Sequence, residues 1–173
     1  MARKTAKAPE TVTVMIEIPK GSRNKYEFDP ETRRIKFDRM LFSSVHYPCD
    51  YGFVMDTLAG DGDALDALVI VAEPTFPGCI IEAKPVGVFI MEDEKGRDEK
   101  ILCVPVRDPL WNHIQSLDEL QPHLLKEIQH FFKIYKDLEH KYTKVKGWYG
   151  LKEATQCIQA SYKAFQKNLD SIR

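Results

Sequence analysis

Long apolar stretches are missing from this chain of 173 residues. The longest uninterrupted one covers residues 67–72, whereas a helix that crosses a bilayer needs roughly 20 apolar residues. An excess of one charge is missing too, because 25 basic side chains stand against 26 acidic ones. The sequence therefore predicts no transmembrane helix, no association with a membrane and no bulk electrostatic attraction to nucleic acid.

Cysteine is sparse as well, with four residues at positions 49, 79, 103 and 157. Their spacing matches neither a disulfide-rich secreted scaffold nor a pair of CxxC metal-binding motifs. The first ten residues are basic but lack the apolar segment of a signal peptide. We therefore expect a cytoplasmic protein with a mobile tail over residues 1–10 and a single domain over residues 11–173.

What the chain does contain, over residues 12–104, is a series of short runs rich in Val, Ile and Phe that Gly, Pro and Asp interrupt. This pattern is typical of strands joined by turns. Pro85 and Gly87 within one long run indicate a bulge or a corner between sheets, which favours a small barrel. The predicted strands are residues 11–18, 25–29, 34–39, 67–71, 80–91 and 101–106, with a hairpin turn at 29–32.

Two amphipathic helices are predicted after residue 112, where apolar side chains begin to recur every three or four positions. Asp118 is expected to cap the first helix, and the second covers about residues 152–169. The expected fold class is therefore mainly β with α, a small barrel followed by two packed helices. The stripe of the first helix consists of Leu124, Ile128, Phe131, Tyr135 and Leu138.

The strongest local signal is an acidic turn, DGDALD, whose carboxylates are Asp61, Asp63 and Asp66. Hard divalent cations such as Mg²⁺ prefer oxygen ligands, and convergent carboxylates on one turn supply them. An EF-hand calcium loop is excluded, because its fifth, sixth and twelfth positions would be Leu65, Asp66 and Ala72. A solvated acidic turn without a ligand is the alternative interpretation.

A second acidic group, consisting of Asp93, Glu94 and Asp98, surrounds a predicted turn at Lys95 and Gly96. Taken alone, this composition is typical of an ordinary hairpin tip. If both acidic turns lie at the same end of a barrel, however, they can hold two or more metal ions between them.

Cationic and phenolic side chains that can bind phosphate accompany the carboxylates. Arginine offers a bidentate fork and lysine a point charge, although such residues are also common as surface charges. The histidines have no metal-binding spacing such as HxH or HExxH. The candidate phosphate ligands are Lys25, Arg39, Lys100 and Lys136, with Tyr47, Tyr51 and Tyr135 as hydroxyl donors or packing groups.

Carboxylates on turns, combined with Lys, Arg and Tyr and without a Cys or His nucleophile, favour phosphoryl transfer to water assisted by metal ions. The residues alone therefore predict a metal-dependent hydrolase of a phosphate anhydride or ester. Two alternatives stay open here: a nonspecific two-metal phosphomonoesterase and an OB-type protein that binds single-stranded nucleic acid. The slightly negative net charge disfavours the second.

Several separate segments of the sequence resemble the soluble inorganic pyrophosphatases of family I, in their short prokaryotic form. The resemblance extends from about residue 12 to residue 148. One departure is Ala64, at a position where the family usually has Pro or Glu. The matching segments are IEIP (16–19), KYE (25–27), DR (38–39), YPCDYG (47–52), DGDALD (61–66), DE (93–94) with Asp98 and Lys100, and HFFKIYK (130–136).

This resemblance implies a five-stranded OB-like barrel with two packed helices, and hydrolysis of pyrophosphate to two orthophosphates without a covalent intermediate. It implies several Mg²⁺ ions in each active site, with Mn²⁺ or Zn²⁺ as substitutes. It also implies a homohexamer, for which we expect the long first helix to supply contacts near His130 and Ile134.

The resemblance further assigns roles to individual residues. Asp61, Asp66, Asp93 and Asp98 would bind metal, with Asp66 bridging two ions, and Asp63 would accept a proton from the water between them. The phosphate oxygens would be bound by Lys25, Arg39, Tyr51, Tyr135 and Lys136, and supporting roles would fall to Glu17, Glu27, Tyr47 and Lys100.

Overall fold

Eight strands and two α-helices make up the computed structural model, which describes residues 10–172. The expected mobile tail therefore lies, except for residue 10, outside the described residues. The strands are β1 (Val12–Ile18), β2 (Asn24–Asp29), β3 (Arg34–Met40), β4 (Asp50–Val54), β5 (Asp66–Val69), β6 (Ile80–Asp93), β7 (Gly96–Pro105) and β8 (Lys144–Tyr149). The helices are α1 (Pro122–Ile134) and α2 (Leu151–Ile172).

Five of the strands close into a ring in the order β1, β4, β5, β7 and β6, and the pairing of β1 with β6 completes it. Neighbouring strands in the ring are antiparallel except for β5 and β7, which are parallel. Strand β8 extends the sheet beyond β6. This ring confirms the expected five-stranded barrel and the mixed class of strands with helices.

Strands β5, β6 and β7 bury successive side chains, and therefore both of their faces. On β7, Leu102 belongs to the apolar cluster that contains Ile128 and Phe132 of α1, whereas Ile101 belongs to the cluster that contains Ile158 of α2. Successive side chains of a strand point to opposite faces, so the two faces contribute to different apolar clusters, each of which includes one of the helices. This explains why the strands in the middle of the sequence read as continuous apolar runs.

The hairpin of β2 and β3 forms a separate two-stranded sheet. Its turn is stabilised by the Asp29 carboxylate, which accepts hydrogen bonds from the backbone of Glu31 at 3.0 Å and from the Thr32 hydroxyl at 2.7 Å. The Phe28 ring packs on Phe53 of the barrel, with centroids 5.7 Å apart. The hairpin predicted across residues 29–32 is therefore confirmed.

The six predicted strands are all present, and the pairing of β6 with β7 shifts register between Pro85 and Gly87, as the bulge prediction required. Strands β4 and β8 were not predicted. Strand β4 is short and contains Gly52, which the fold needs because a Cβ atom there would lie 1.8 Å from the Met15 carbonyl oxygen of β1. Strand β8 has three exposed residues out of its six and pairs along one edge only.

Both predicted helices are confirmed, but two details of the first were wrong. Asp118 does not cap α1, because it lies in a separate 3₁₀ turn, Leu117–Glu119, and the side chain of Gln121 accepts the hydrogen bond from the His123 backbone instead. Leu138 lies beyond the end of α1, on a second 3₁₀ turn (Asp137–Glu139), and is exposed. Within residues 10–172, no helix is long and apolar enough to cross a membrane.

Candidate active site

The centre of the candidate site is the buried ammonium group of Lys100 on β7. Its Nζ donates to the Asp66 carboxylate at 2.6 Å and to both oxygens of Asp98 at 3.0 and 2.9 Å. The parallel pairing of β5 with β7 sets Asp66 directly opposite Lys100, and Asp98 lies two residues before Lys100, on the same face of the strand. Strand register alone therefore brings one member of each acidic group onto one lysine.

Aromatic rings shield the Lys100 ammonium from water. The Lys100 Nζ lies 5.2 Å from the Tyr51 ring centroid and 5.1 Å from that of Phe132, and the Tyr51 hydroxyl donates to Asp66 at 2.5 Å. Burial alone would lower the pKa of Lys100, but Asp66 and Asp98 outweigh it and hold that pKa well above its ordinary value. Burial likewise raises the pKa of Tyr51, so its hydroxyl remains a hydrogen-bond donor.

The acidic turn before β5 contributes two further carboxylates. Asp61 accepts a hydrogen bond from the backbone of Asp63 at 3.1 Å, and the exposed Asp63 carboxylate lies 3.2 Å from the Lys95 ammonium. Lys95 belongs to the turn between β6 and β7, where the second acidic group lies. The two acidic turns are therefore neighbours, which is the condition under which the sequence allowed them to bind metal ions together.

A small cavity opens between these turns, and three of the predicted metal ligands, Asp61, Asp66 and Asp98, line it together. Within the part of the chain that the structure describes, no three Asp, Glu, His or Cys side chains converge closely enough to form a ready-made metal site. Four carboxylates line the cavity, those of Asp61, Asp66, Asp98 and Glu99, against the cations of Arg97 and of the neighbouring Lys100, so negative charge is in excess and the metal-binding atoms on offer are hard oxygens. This donor set fits a hard divalent cation such as Mg²⁺.

The other predicted metal ligand, Asp93, lies at the end of β6 and contacts Lys136. The Nζ of Lys136 is 3.1 Å from Asp93, 3.8 Å from Glu94 and 5.4 Å from the ring centroid of Tyr135. Burial would raise the pKa of Asp93, but hydrogen bonds from the Lys95 backbone and from Lys136 keep it below its ordinary value. Burial raises the pKa of the Tyr135 phenol.

Two of the predicted phosphate ligands come from the β2–β3 hairpin, where Lys25 is paired with Arg39. Asp38 contacts both, since one of its oxygens lies 3.1 Å from the Lys25 Nζ and 2.5 Å from an Arg39 Nη1. Lys25 also forms an ion pair with Glu27. The hairpin thus presents two neighbouring cations held by carboxylates.

Glu17 and Tyr47, two of the predicted supporting residues, contact the hairpin and the aromatic rings of the site. The Glu17 carboxylate accepts a hydrogen bond from the Phe28 backbone at 2.7 Å, which ties the hairpin to β1. Burial raises the pKa of Glu17 to about 7. The Tyr47 ring packs between Tyr51, with centroids 5.5 Å apart, and Phe131, at 4.8 Å.

Comparison with known proteins identifies the family. The family model described as inorganic pyrophosphatase matches residues 14–166. The chain belongs to the inorganic pyrophosphatase family. A curated inorganic pyrophosphatase from Methanosarcina acetivorans is 62% identical over 157 residues, which represent 90% of this chain and 94% of that protein.

Solved structures of inorganic pyrophosphatases share the fold. The structure from Thermus thermophilus superposes with a TM-score of 0.89 at 43% identity and covers 95% of this chain and 97% of its own. The structure from Helicobacter pylori gives a TM-score of 0.88 at 40% identity, covering 94% of this chain and 99% of its own. The resemblance seen in the sequence segments, and the barrel it implied, are therefore confirmed.

Three contacts within this pyrophosphatase site were not anticipated from the sequence. They are the Lys95 contact to Asp63, the Phe132 ring beside Lys100, and the ion pair between Arg39 and Glu139. Glu139 lies 100 positions after Arg39, so no local pattern links them. Its only sequence signal is its position three residues after Lys136, itself a candidate phosphate ligand.

Proposed function

We propose that this chain hydrolyses inorganic pyrophosphate to two orthophosphates, with Mg²⁺ as cofactor and water as nucleophile. The observation that carries the proposal is one site in which carboxylates suited to metal ions lie beside cations suited to phosphate, on the scaffold of the inorganic pyrophosphatases. Its central contact joins Asp66 to Lys100 at 2.6 Å. Pyrophosphate is a multiply charged anion, so neutralising that charge is the main task of the site.

The metal ligands in this proposal are Asp61, Asp66 and Asp98 around the small cavity, with Asp93 and Asp98 holding metal that arrives with the substrate. Asp66 lines the cavity together with the other two and accepts the hydrogen bond from Lys100, so it is the proposed bridging ligand. Several Mg²⁺ ions bound there, or Mn²⁺ or Zn²⁺ in their place, would acidify a water molecule and neutralise phosphate charge.

Binding of the phosphate oxygens is assigned to cations and phenols that surround the carboxylates. Arg39 provides a planar fork, whereas each lysine provides a point charge. The phenols stay protonated, since burial raises the pKa of Tyr51 and Tyr135, so each has one proton that it can donate to a phosphate oxygen without adding charge, Tyr51 in exchange for its bond to Asp66. The proposed phosphate ligands are Lys25, Arg39, Tyr51, Tyr135 and Lys136, supported by Glu17, Glu27, Tyr47 and Lys100.

Asp63 is the proposed acceptor of the proton that the attacking water loses. Its side chain is 67% exposed, which leaves it accessible to water, and it does not take part in the central Lys100 ion pair. Positioning and electrostatic stabilisation then account for catalysis, and no side chain needs to form a bond to phosphorus.

The test is release of phosphate from pyrophosphate by the purified protein, with Mg²⁺ and with EDTA. Asp66→Ala is expected to lower the rate roughly 10²-fold or more without unfolding the chain. Asp170→Ala, on the exposed surface of α2, is the matched control and is expected to retain full activity. A folded Asp66→Ala protein with wild-type turnover, or a wild-type protein that prefers an aryl phosphate, would contradict the proposal.

Assembly and location complete the proposal: a homohexamer in the cytoplasm that binds neither nucleic acid nor membranes. All four cysteines are free thiols, in keeping with a reducing compartment. His130 is exposed and Ile134 half-buried on α1, so both remain accessible to a neighbouring subunit. Light scattering near neutral pH tests the assembly, and a monomer there would contradict it.

A further inference from the structure

Arg39 is held between carboxylates from two distant parts of the chain. Its Nη1 donates to the neighbouring Asp38 at 2.5 Å, and its Nη2 donates to Glu139 at 3.1 Å. The Nε atom lies 2.8 Å from the other Glu139 oxygen, a close ionic contact that lacks hydrogen-bond geometry. The bonds to Asp38 and Glu139 therefore hold the guanidinium at two of its nitrogens, whereas a single bond would leave it freer to rotate.

The Glu139 side chain is itself buried away from water. Its side chain is only 5% exposed, and it ends the 3₁₀ turn that follows α1. The turn is closed by backbone hydrogen bonds from Glu139 to Lys136 at 3.0 Å and from His140 to Asp137 at 3.1 Å. His140 adopts a positive φ of 54° at this point, which reverses the chain direction directly after Glu139.

The contact connects two parts of the site that backbone pairing does not connect. The β2–β3 hairpin, which carries Arg39, is a separate sheet, and the Glu17 bond to Phe28 fixes it on the β1 side. Glu139 fixes it on the other side, from the segment that also carries Lys136. The ion pair between Arg39 and Glu139 therefore joins the hairpin cations, Lys25 and Arg39, to the segment that carries Lys136.

We propose that Glu139 is a positioning residue for pyrophosphate, which acts through Arg39 by orienting its guanidinium toward the substrate phosphate. This inference rests on the proposed function, in which Arg39 binds substrate. A guanidinium has five N–H donors, and with one N–H of Nη1 on Asp38 and one of Nη2 on Glu139, each of these nitrogens keeps a second N–H for a phosphate oxygen. Without Glu139 the guanidinium is freer to rotate, and part of the free energy of pyrophosphate binding is then used to orient it.

The experiment compares steady-state pyrophosphate hydrolysis by Glu139→Gln, Arg39→Ala and the double variant. Glutamine keeps the size of the side chain and one acceptor, so it can keep the hydrogen bond from Nη2, but it loses the charge that attracts the guanidinium. We expect KM to rise about tenfold in Glu139→Gln, with a smaller change in kcat, because ground-state binding is what the ion pair prepares. In the Arg39→Ala background the same substitution should have no further effect.

Two further variants separate positioning from a general structural role. Asp137→Asn alters an exposed carboxylate in the same 3₁₀ turn and should leave KM unchanged. Glu139→Asp keeps the charge on a shorter side chain and should give an intermediate KM, and it also serves as the test if Glu139→Gln fails to fold. Circular dichroism of each variant reports on folding.

The outcomes distinguish this inference from the proposed function. The positioning role alone is overturned if the wild-type protein hydrolyses pyrophosphate but Glu139→Gln has no effect. It is also overturned if the effect of Glu139→Gln adds fully to that of Arg39→Ala. An Arg39→Ala protein with unchanged kinetics overturns both this role and the assignment of Arg39. A wild-type protein that does not hydrolyse pyrophosphate overturns the proposed function itself, and with it this inference.

Discussion

Replacing Lys100 with methionine removes the one buried ammonium group that the Asp66 and Asp98 carboxylates share. Methionine is unbranched and similar in length, so it can occupy the space that the lysine side chain fills beside Tyr51 and Phe132. The substitution therefore changes charge far more than packing.

The expected loss of stability follows from what remains at the site. Removing one partner of a buried ion pair costs about 3–5 kcal/mol, because the other charge is left without compensation. The side chains of Asp66 and Asp98 are 26% and 20% exposed, so water can partly solvate them once the ammonium is gone. We therefore expect a loss of about 3 kcal/mol in the free energy of unfolding, at the lower end of that range.

Equilibrium unfolding in urea, at one protein concentration and near neutral pH, is the assay. In EDTA the Lys100→Met protein should be less stable than wild type, and Mg²⁺ should stabilise it more than it stabilises wild type, because the metal replaces the lost positive charge. A free metal concentration of 100 times Kd contributes about 2.7 kcal/mol. Lys152→Met, at an exposed position on α2, is the control. Equal stability of Lys100→Met and wild type in EDTA, or an equal response to Mg²⁺, would refute this reasoning.

Three other substitutions test separate parts of the structure. Burial raises the pKa of Glu17 from 4.5 to about 7, so the free energy of unfolding should fall as pH rises through that window. Glu17→Gln should remove this fall and should be more stable than wild type by up to about 3 kcal/mol at alkaline pH in EDTA. Urea unfolding across pH checks this, and an equally pH-dependent variant would contradict it. Gly52→Ala would bring a methyl group into the Met15 carbonyl and should destabilise the chain by about 3 kcal/mol, so a wild-type unfolding midpoint would argue against the close approach of β1 and β4. Asp63→Asn should lower turnover while isothermal titration shows Mg²⁺ binding retained, and a collapse of metal affinity would mean that Asp63 is a ligand and not a base.

The strands of the barrel that could be predicted are those whose own residues form a recognisable apolar pattern. The apolar runs that became β5, β6 and β7 are evident in the sequence, because both faces of those strands are buried. Strand β4 is only five residues long and contains Gly52, a residue that is uncommon within strands. Gly52 is needed because β1 passes close to it, and the sequence around Gly52 carries no sign of that neighbouring strand. The predicted apolar stripe of α1 extended to Leu138 because a step of three residues from Tyr135 fits an α-helix, whereas the helix ends at Ile134 and Leu138 is exposed on a 3₁₀ turn.

The candidate site shows the same division. Asp66, Asp98 and Lys100 were predicted as site residues, but their common contact depends on the pairing of β5 with β7, which no pattern in either segment specifies. Glu139 was missed altogether, because its partner Arg39 lies on a hairpin far earlier in the sequence. Residue types at a site can therefore be anticipated, whereas contacts that arise from long-range packing cannot.

The parallel alignment of β5 with β7 also constrains how the chain reaches its working state. Asp66 and Lys100 are 34 positions apart, and side chains alternate between faces, so a slip by one residue would separate the two charges across the wall of the barrel. Long-range parallel pairing forms slowly and late in folding. A chain in which these two strands have not yet met lacks the contact of Asp66 with Lys100 on which the proposed metal site depends, so hydrolysis should appear during refolding only when the ring closes.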